Sequence, residues 1–332
     1  MADKIPRPSD SDPSGDRPDQ DRVNQGGDGG MNDGILEGEP SDASVPSPST
    51  SETSEETSDT SEKTVDVRWQ GEIKRVQGLQ GELRRLSAVR FVDLEHLSPL
   101  FQWFDELRQI RGYGRLEGVS QVGKTVAARV YAMRYRRKAG DESPQTVTYV
   151  RLPPGAGLGE WYGRLVESLG GEPLWGSLSQ LRRQGLTVAR KRSLRLALID
   201  NADLQTPKLL QEVRYLSERL WAGAVLIGGQ KLSDRLDRDR ELAAAFQPLY
   251  WIPKLSEEGL KQAIEKWETE VLQLPERSHL EQEGAFEILQ EITQGCVGRL
   301  DVILRRSAMR TLRAGKHTID RDILDEVIQD YR

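Results

Sequence analysis

Cysteine, histidine and long apolar runs are what this chain has least of, and each scarcity removes a class of function. A single cysteine, Cys296, rules out an internal disulfide and any cysteine-rich metal site, and suits a reducing compartment. Three histidines, at 96, 279 and 317, show no metal-ligand spacing. No stretch approaches the roughly 18 apolar residues that would span a bilayer. The N-terminus carries no apolar signal region either, so a soluble, cytoplasmic protein without a membrane partner is expected.

Branched apolar and aromatic side chains are almost missing from residues 1–63, where 16 acidic residues stand against 5 basic ones among Ser, Thr, Pro and Gly. Such a segment cannot bury enough apolar surface to offset chain entropy, and it is expected to be a disordered acidic tail. The rest of the chain then holds 42 Lys and Arg against 37 Asp and Glu, although the whole chain sums to −6. The body is therefore mildly basic, which permits contact with phosphate backbones without requiring it.

What is present beyond the tail is periodic. Val76, Leu79, Leu83, Leu86 and Val89, then Leu97, Leu100, Trp103, Phe104 and Leu107, recur every three or four residues and predict two lead-in helices over 64–111. From 112 to 254 the pattern alternates. Strands are expected at 112–118, 146–152 (TVTYVRL), 194–199 (LRLALI) and 224–228 (AVLIG), and helices at 124–138, 158–169, 178–188 and 207–220. That alternation implies a parallel sheet covered on both faces. After Trp251 only helical runs follow, at 256–274, 280–294, 299–313 and 320–331. The expected architecture is an α/β P-loop core over 112–254 followed by a small all-helical lid over 255–332.

The strongest chemical signal is Gly118-Val119-Ser120-Gln121-Val122-Gly123-Lys124-Thr125, which fits GxxxxGK[ST] without a mismatch. Its glycines let successive backbone N–H groups face a β-phosphate, and the helix that follows adds its positive end. Lys124 neutralises β and γ oxygens, and the Thr125 hydroxyl offers a ligand to Mg²⁺. ATP and magnesium are the cofactors this motif calls for. The second half of such a site is an acid at the end of an apolar strand, and LRLALID supplies Asp200, placed to hold the magnesium through water. The next position is usually glutamate in a working ATPase, but here it is Asn201, which can orient water but cannot take its proton. Asp203 is the nearest carboxylate that could partly substitute, although a helix-entry or partner-contact role accounts for it better.

These segments, together with AVLIGGQKL and the downstream RDRELAAAF, KLSEEGLKQAIEKWETEVLQLP and GCVGRLDVILRRSAMRTLRAG, resemble the TnsC and TniB transposition proteins. Those are AAA+ regulators related more distantly to MuB, and the likeness is strongest to the TnsC of cyanobacterial CRISPR-associated transposons. The resemblance covers about 90–332 and leaves out the tail. It implies an AAA+ fold, nucleotide contacts from Gly118 to Thr125, magnesium at Thr125 and Asp200, and Arg299 of the GRLD phrase as a lid arginine sensing the γ-phosphate. It also implies homo-oligomeric filaments or rings on duplex DNA that connect target-selection proteins to a transposase.

Three departures from the family pattern concern hydrolysis. Asn201 replaces the glutamate, Gly229 stands where relatives carry a polar sensor, and Ala243-Ala244-Ala245-Phe246 leaves no arginine finger beside Phe246. A finger alone is worth about 10³–10⁵ in turnover, so ATP binding with weak or absent hydrolysis is expected. Two alternatives stay open: an active ATPase that uses Asp203 or a partner's residue, and a non-hydrolysing paralogue that caps or co-assembles with a competent relative. Candidate DNA-phosphate contacts are Arg182, Arg183, Arg190, Lys191 and Arg192, beside the strand that ends in Asp200. The loop at 153–159 (PPGAGLG), basic in relatives, has no basic residue here.

Overall fold

A computed structural model describes residues 76–88, 90–135, 146–172 and 175–331. The acidic tail expected over 1–63, Val89, and the end of the helix expected to reach residue 138 lie outside the described residues.

The first helix, α1, spans 76–87, and a short 3₁₀ turn at Glu95–Leu97 leads into α2 (Ser98–Ile110). The alternation follows as β1 (Tyr113–Glu117), α3 (Lys124–Met133), β2 (Val147–Arg151), α4 (Leu158–Ser168), α5 (Leu178–Lys191), β3 (Leu196–Asp200), α6 (Pro207–Leu220) and β4 (Gly223–Ile227). Two short helices, α7 (Lys231–Leu236) and α8 (Arg240–Ala245), precede β5 (Leu249–Trp251). The C-terminal part is helical: α9 (Glu257–Lys266), α10 (Ala285–Thr293), α11 (Val297–Arg313) and α12 (Arg321–Gln329).

All strand pairs are parallel, in the order β2-β3-β4-β1-β5. Every residue of β3 and β4 is buried, as expected for central strands with both faces covered. Alternate residues serve opposite faces: Leu198 and Val225 pack with α2, α3 and the C-terminal helices, whereas Ile199 and Leu226 pack with α4, α5 and α6. The edge strand β5 was not expected. It is only three residues long, only half-covered, and lies between Pro248 and Pro253, which break the strand signal.

The expected helix over 256–274 is instead α9 followed by a π-helical turn at Trp267–Leu272. The turn has local partners that account for it. Arg85 of α1 donates to the carbonyls of Val271 (2.7 Å) and Leu272 (2.6 Å), filling acceptors that a helix end leaves open. Arg305 of α11 completes the tie from the other side, donating to Leu86 O at 2.6 Å, Ala88 O at 2.8 Å and Asp301 at 2.7 Å. The lead-in segment and the C-terminal helices are thereby fixed against each other beside the start of α3. None of the described helices is long and apolar enough to cross a membrane.

Candidate functional site

β1 ends one residue before Gly118, and the loop from Gly118 to Gly123 wraps into the start of α3. Two positions demand glycine. A Cβ on Gly118 would stand 2.5 Å from Cγ2 of Ile252, just past β5, so the loop base can pass only without a side chain. Gly123 has φ +103°, a left-handed turn that aims the first N–H groups of α3 into the concavity.

Lys124 Nζ curls over this loop and donates to the carbonyls of Gly118 and Val119, both at 2.7 Å. Burial pulls its ammonium below the ordinary lysine range, while Asp200 and Asp203 pull it back up. At the carboxyl end of β3, Asp200 is 3% exposed, and its Oδ2 accepts hydroxyls from Thr125 (2.8 Å) and from Tyr149 of β2 (2.6 Å). Its Oδ1 accepts the Asn201 N–H at 2.9 Å.

Lys124, Thr125, Asp200 and Asn201 line a cleft of about 380 Å³ that also takes in Asp203, Gly228, Gly229 and Gly298. Thr125 and Asp200 are hard oxygen donors of the kind magnesium prefers, and they stand together. Among the described residues no group of three or more His, Cys, Asp or Glu could cage a metal. A magnesium ion would therefore be shared between these two residues, water and phosphate oxygens.

The far wall is built differently. Asn201 sits in a left-handed conformation at φ 63°, and its amide donates to Leu152 O at 2.8 Å, across to the end of β2. Asp203 Oδ2 accepts the Gly229 N–H at 3.2 Å, so a carboxylate occupies the region beside the glycine that has no side chain. Behind the loop, buried Glu117 takes the Ser233 hydroxyl of α7 at 2.6 Å. Burial pushes its carboxyl above the usual range, with the Ser233 bond and Arg115 opposing.

A second, apolar recess of about 100 Å³ opens beside Gly123 and Gly298, walled by Phe91, Val92 and Leu94 on one side and Trp267 and Val297 on the other. It adjoins the polar cleft, with which it shares Gly123, Val126 and Gly298. Sequence reading missed it, because its walls come from segments about 200 residues apart.

The expected site residues are not all brought together. The loop Gly118–Thr125, Asp200, Asn201 and Asp203 converge. Arg299 does not line the cleft: its guanidinium donates to Ile292 O at 2.9 Å. The residue of α11 that reaches the loop is Gly298, whose N–H donates to Gln121 O at 2.7 Å.

The five basic candidates also divide. Arg182 holds buried Glu212 by two bonds of 2.6 Å, and Glu212 in turn accepts the Tyr162 hydroxyl at 2.6 Å. Arg192 donates to Leu169 O at 3.0 Å and Gly170 O at 3.3 Å, and Arg190 donates to Arg219 O at 3.3 Å. Arg183 and Lys191 are exposed and make no ion pair among the described residues. The loop after β2, expected without basic groups, is pinned by buried Gln205, which accepts from Ala156 N at 3.1 Å and donates to Pro153 O at 2.9 Å.

The family model described as the bacterial TniB protein matches residues 88–255. No match is found among curated proteins. Among solved structures the chain is similar to Cdc6p of Pyrobaculum aerophilum, at 18% identity and TM-score 0.56, covering 74% of this chain and 70% of that one. It is also similar to the Aeropyrum pernix ORC2 protein, solved as ADPNP-ADP complexes, at 14% identity and TM-score 0.54 over 75% and 72% of the two chains. The ORC1 protein of the same organism, solved in complex with DNA, matches at 15% identity and TM-score 0.51 over 72% and 66%. At these identities the likeness establishes a common AAA+ fold.

Proposed function

The chain belongs to the bacterial TniB family, and from that premise we propose that it binds Mg-ATP between β1 and β3 and acts as an AAA+ regulator of DNA transposition. In this reading the core over 112–254 holds the nucleotide and the helical lid over 255–332 closes on it. Successive subunits assemble on duplex DNA in the cytoplasm, as in the TnsC-type regulators of CRISPR-associated transposons, and connect target selection to a transposase. The triphosphate lies in the loop from Gly118 to Thr125, magnesium is shared by Thr125 and Asp200, and the base enters the recess beside Phe91 and Trp267. Arg299 reaches the γ-phosphate only by leaving the Ile292 carbonyl. Arg183 and Lys191 are the members of the basic set best placed to meet DNA phosphates.

One observation carries the claim that hydrolysis is weak or absent. The loop Gly118–Thr125 keeps every residue of the phosphate-binding pattern, while opposite it the Asn201 amide is turned to Leu152 O and Gly229 presents no side chain. ATP then works as a clamp rather than a fuel. Calorimetry with Mg-ATP beside a phosphate-release assay tests this. One nucleotide per chain with turnover near background is the expected pair of results, and absence of uptake by folded protein sinks the reading. Electron microscopy with duplex DNA, comparing ATP, ADP and no nucleotide, tests assembly. DNA binding should weaken steeply with added salt, because phosphate neutralisation dominates it.

Asp203 favours a second reading, that of an active ATPase, since its carboxylate lines the cleft beside Gly229. Measurable turnover that Asp203→Asn abolishes, with Mg-ATP affinity kept, would select that reading.

A further inference from the structure

A concavity of about 370 Å³ lies on the outer side of β2, lined by Arg129, Arg151 and Arg164 with Tyr149, Met133 and Glu167. Glu167 is drawn to Arg164, which also reaches Glu160. Arg129 and Arg151 are exposed and have no carboxylate partner among the described residues. Two guanidiniums facing one hollow with no ion-pair partner among the described residues can receive a tetrahedral oxyanion, since each offers paired N–H donors.

The placement of these residues follows from the period of their elements. Arg129 lies one helical turn beyond Thr125 on α3, and Arg151 lies two residues beyond Tyr149 on the same face of β2. Arg151 is also the register partner of Asp200. Tyr149 therefore forms a wall between the hollow and the cleft: its ring lines the hollow, and its hydroxyl donates to Asp200 Oδ2 at 2.6 Å. Arg129 and Arg151 line the hollow together with Tyr149.

We infer that the hollow between Arg129 and Arg151 is a second phosphate-binding site, and that Tyr149 couples it to the magnesium carboxylate Asp200. The coupling rests on the Mg-ATP reading; the anion site does not. Asp200 Oδ2 takes two protein hydroxyls at once. A phosphate seated on the arginines accepts the Tyr149 hydroxyl in its turn, which leaves Oδ2 an open lone pair for the hydrated metal. Occupancy of the hollow then strengthens Mg-ATP binding.

The test titrates inorganic phosphate into the full chain at constant ionic strength, with the P-loop filled by magnesium and a non-hydrolysable ATP analogue. Phosphate uptake is expected, weakened about tenfold or more in R129A/R151A, the loss due when a hydrogen bond to a charged group goes. Mg-ATP affinity measured with and without phosphate should rise with it. That sign excludes simple competition at the P-loop. Tyr149→Phe should weaken phosphate uptake less than the double arginine variant does, and should lose the coupling. Uptake equal in wild type and the double arginine variant overturns the site, and coupling that survives Tyr149→Phe overturns the relay. Phosphate uptake on the arginines in a protein that takes up no Mg-ATP would sink the nucleotide reading and leave the pocket standing. A short duplex added at the same ionic strength identifies the source. Displacement of bound phosphate points to a polynucleotide backbone, and retention points to a free anion; either result agrees with the site.

Discussion

The two walls of the cleft were built by different rules. The β1–α3 wall is one continuous stretch of eight residues, and nearly everything on it is a donor or a small residue that clears the way for donors. The β3–β4 wall is assembled from strand ends, and its side chains tie separate segments together: Asp200 to Thr125 and Tyr149, Asn201 to Leu152, Asp203 to Gly229, whereas Lys124 holds only its own loop. The contrast teaches that gripping a phosphate and cleaving it are separable. A grip needs backbone and one ammonium, whereas cleavage needs side chains left free to meet water.

Lys124→Ala is the harshest way to break the contrast. The side chain at the start of α3 holds only two loop carbonyls, so its removal should leave the fold intact by circular dichroism. Mg-ATP affinity should fall about 100-fold or more, because a charge-assisted contact to phosphate is lost without replacement. Calorimetry that finds the affinity within a few-fold of wild type would mean the donors of the β1–α3 wall are not where the nucleotide sits.

A smaller effect separates two adjacent glycines on the other wall. A Cβ on Gly228 would come within 2.9 Å of Cβ and Oδ1 of Asp203, whereas one on Gly229 meets only Asp203 Oδ2, at 3.5 Å. Gly228→Ala should therefore cost about 1–3 kcal/mol, the usual price of overpacking a fitted site. Gly229→Ala should stay within about 0.5 kcal/mol of wild type. Chemical denaturation of the pair reads the difference directly, and equal stabilities would show that Asp203 is not held against this turn. The same experiment asks whether the wall is rigid enough for its missing side chains to matter.

How much of this was legible in the residues alone follows from the same division. The β1–α3 wall is contiguous, so its spacing announces it, and Asp200 is marked by the apolar run before it. The sheet and the major helices were legible because burial on two faces makes β3 apolar up to Asp200 and β4 apolar throughout, and leaves the helices their three-to-four spacing. The Tyr149 contact to Asp200 was not, because it depends on which strands are neighbours and in what register. The recess beside Phe91 and Trp267 joins segments far apart in the chain. Arg299 shows the limit most clearly: the GRLD phrase points to a site on α11, but one step along a helix turns a side chain by about 100°. In the structure Gly298 meets the loop, and Arg299 meets Ile292.

The gentlest probe reaches behind the β1–α3 wall to Glu117, the buried acid that joins its base to α7 through Ser233. Burial raises the Glu117 carboxyl above its unfolded value, and the Ser233 bond and Arg115 only partly offset that. The sign follows from linkage. A group whose folded pKa is raised lends its stability below the unfolded value, about 4.3, and loses it as pH climbs through the folded value. Glu117→Gln keeps an oxygen for the Ser233 hydroxyl and removes the titration. The variant and wild type should lie nearest in unfolding midpoint at about pH 4, and the variant should gain on wild type as pH rises toward neutrality. A difference that does not change with pH would show that the charge on Glu117 is fully compensated. The 3.4 Å ion pair between Arg115 and Glu117 would then offset the cost of burial in full.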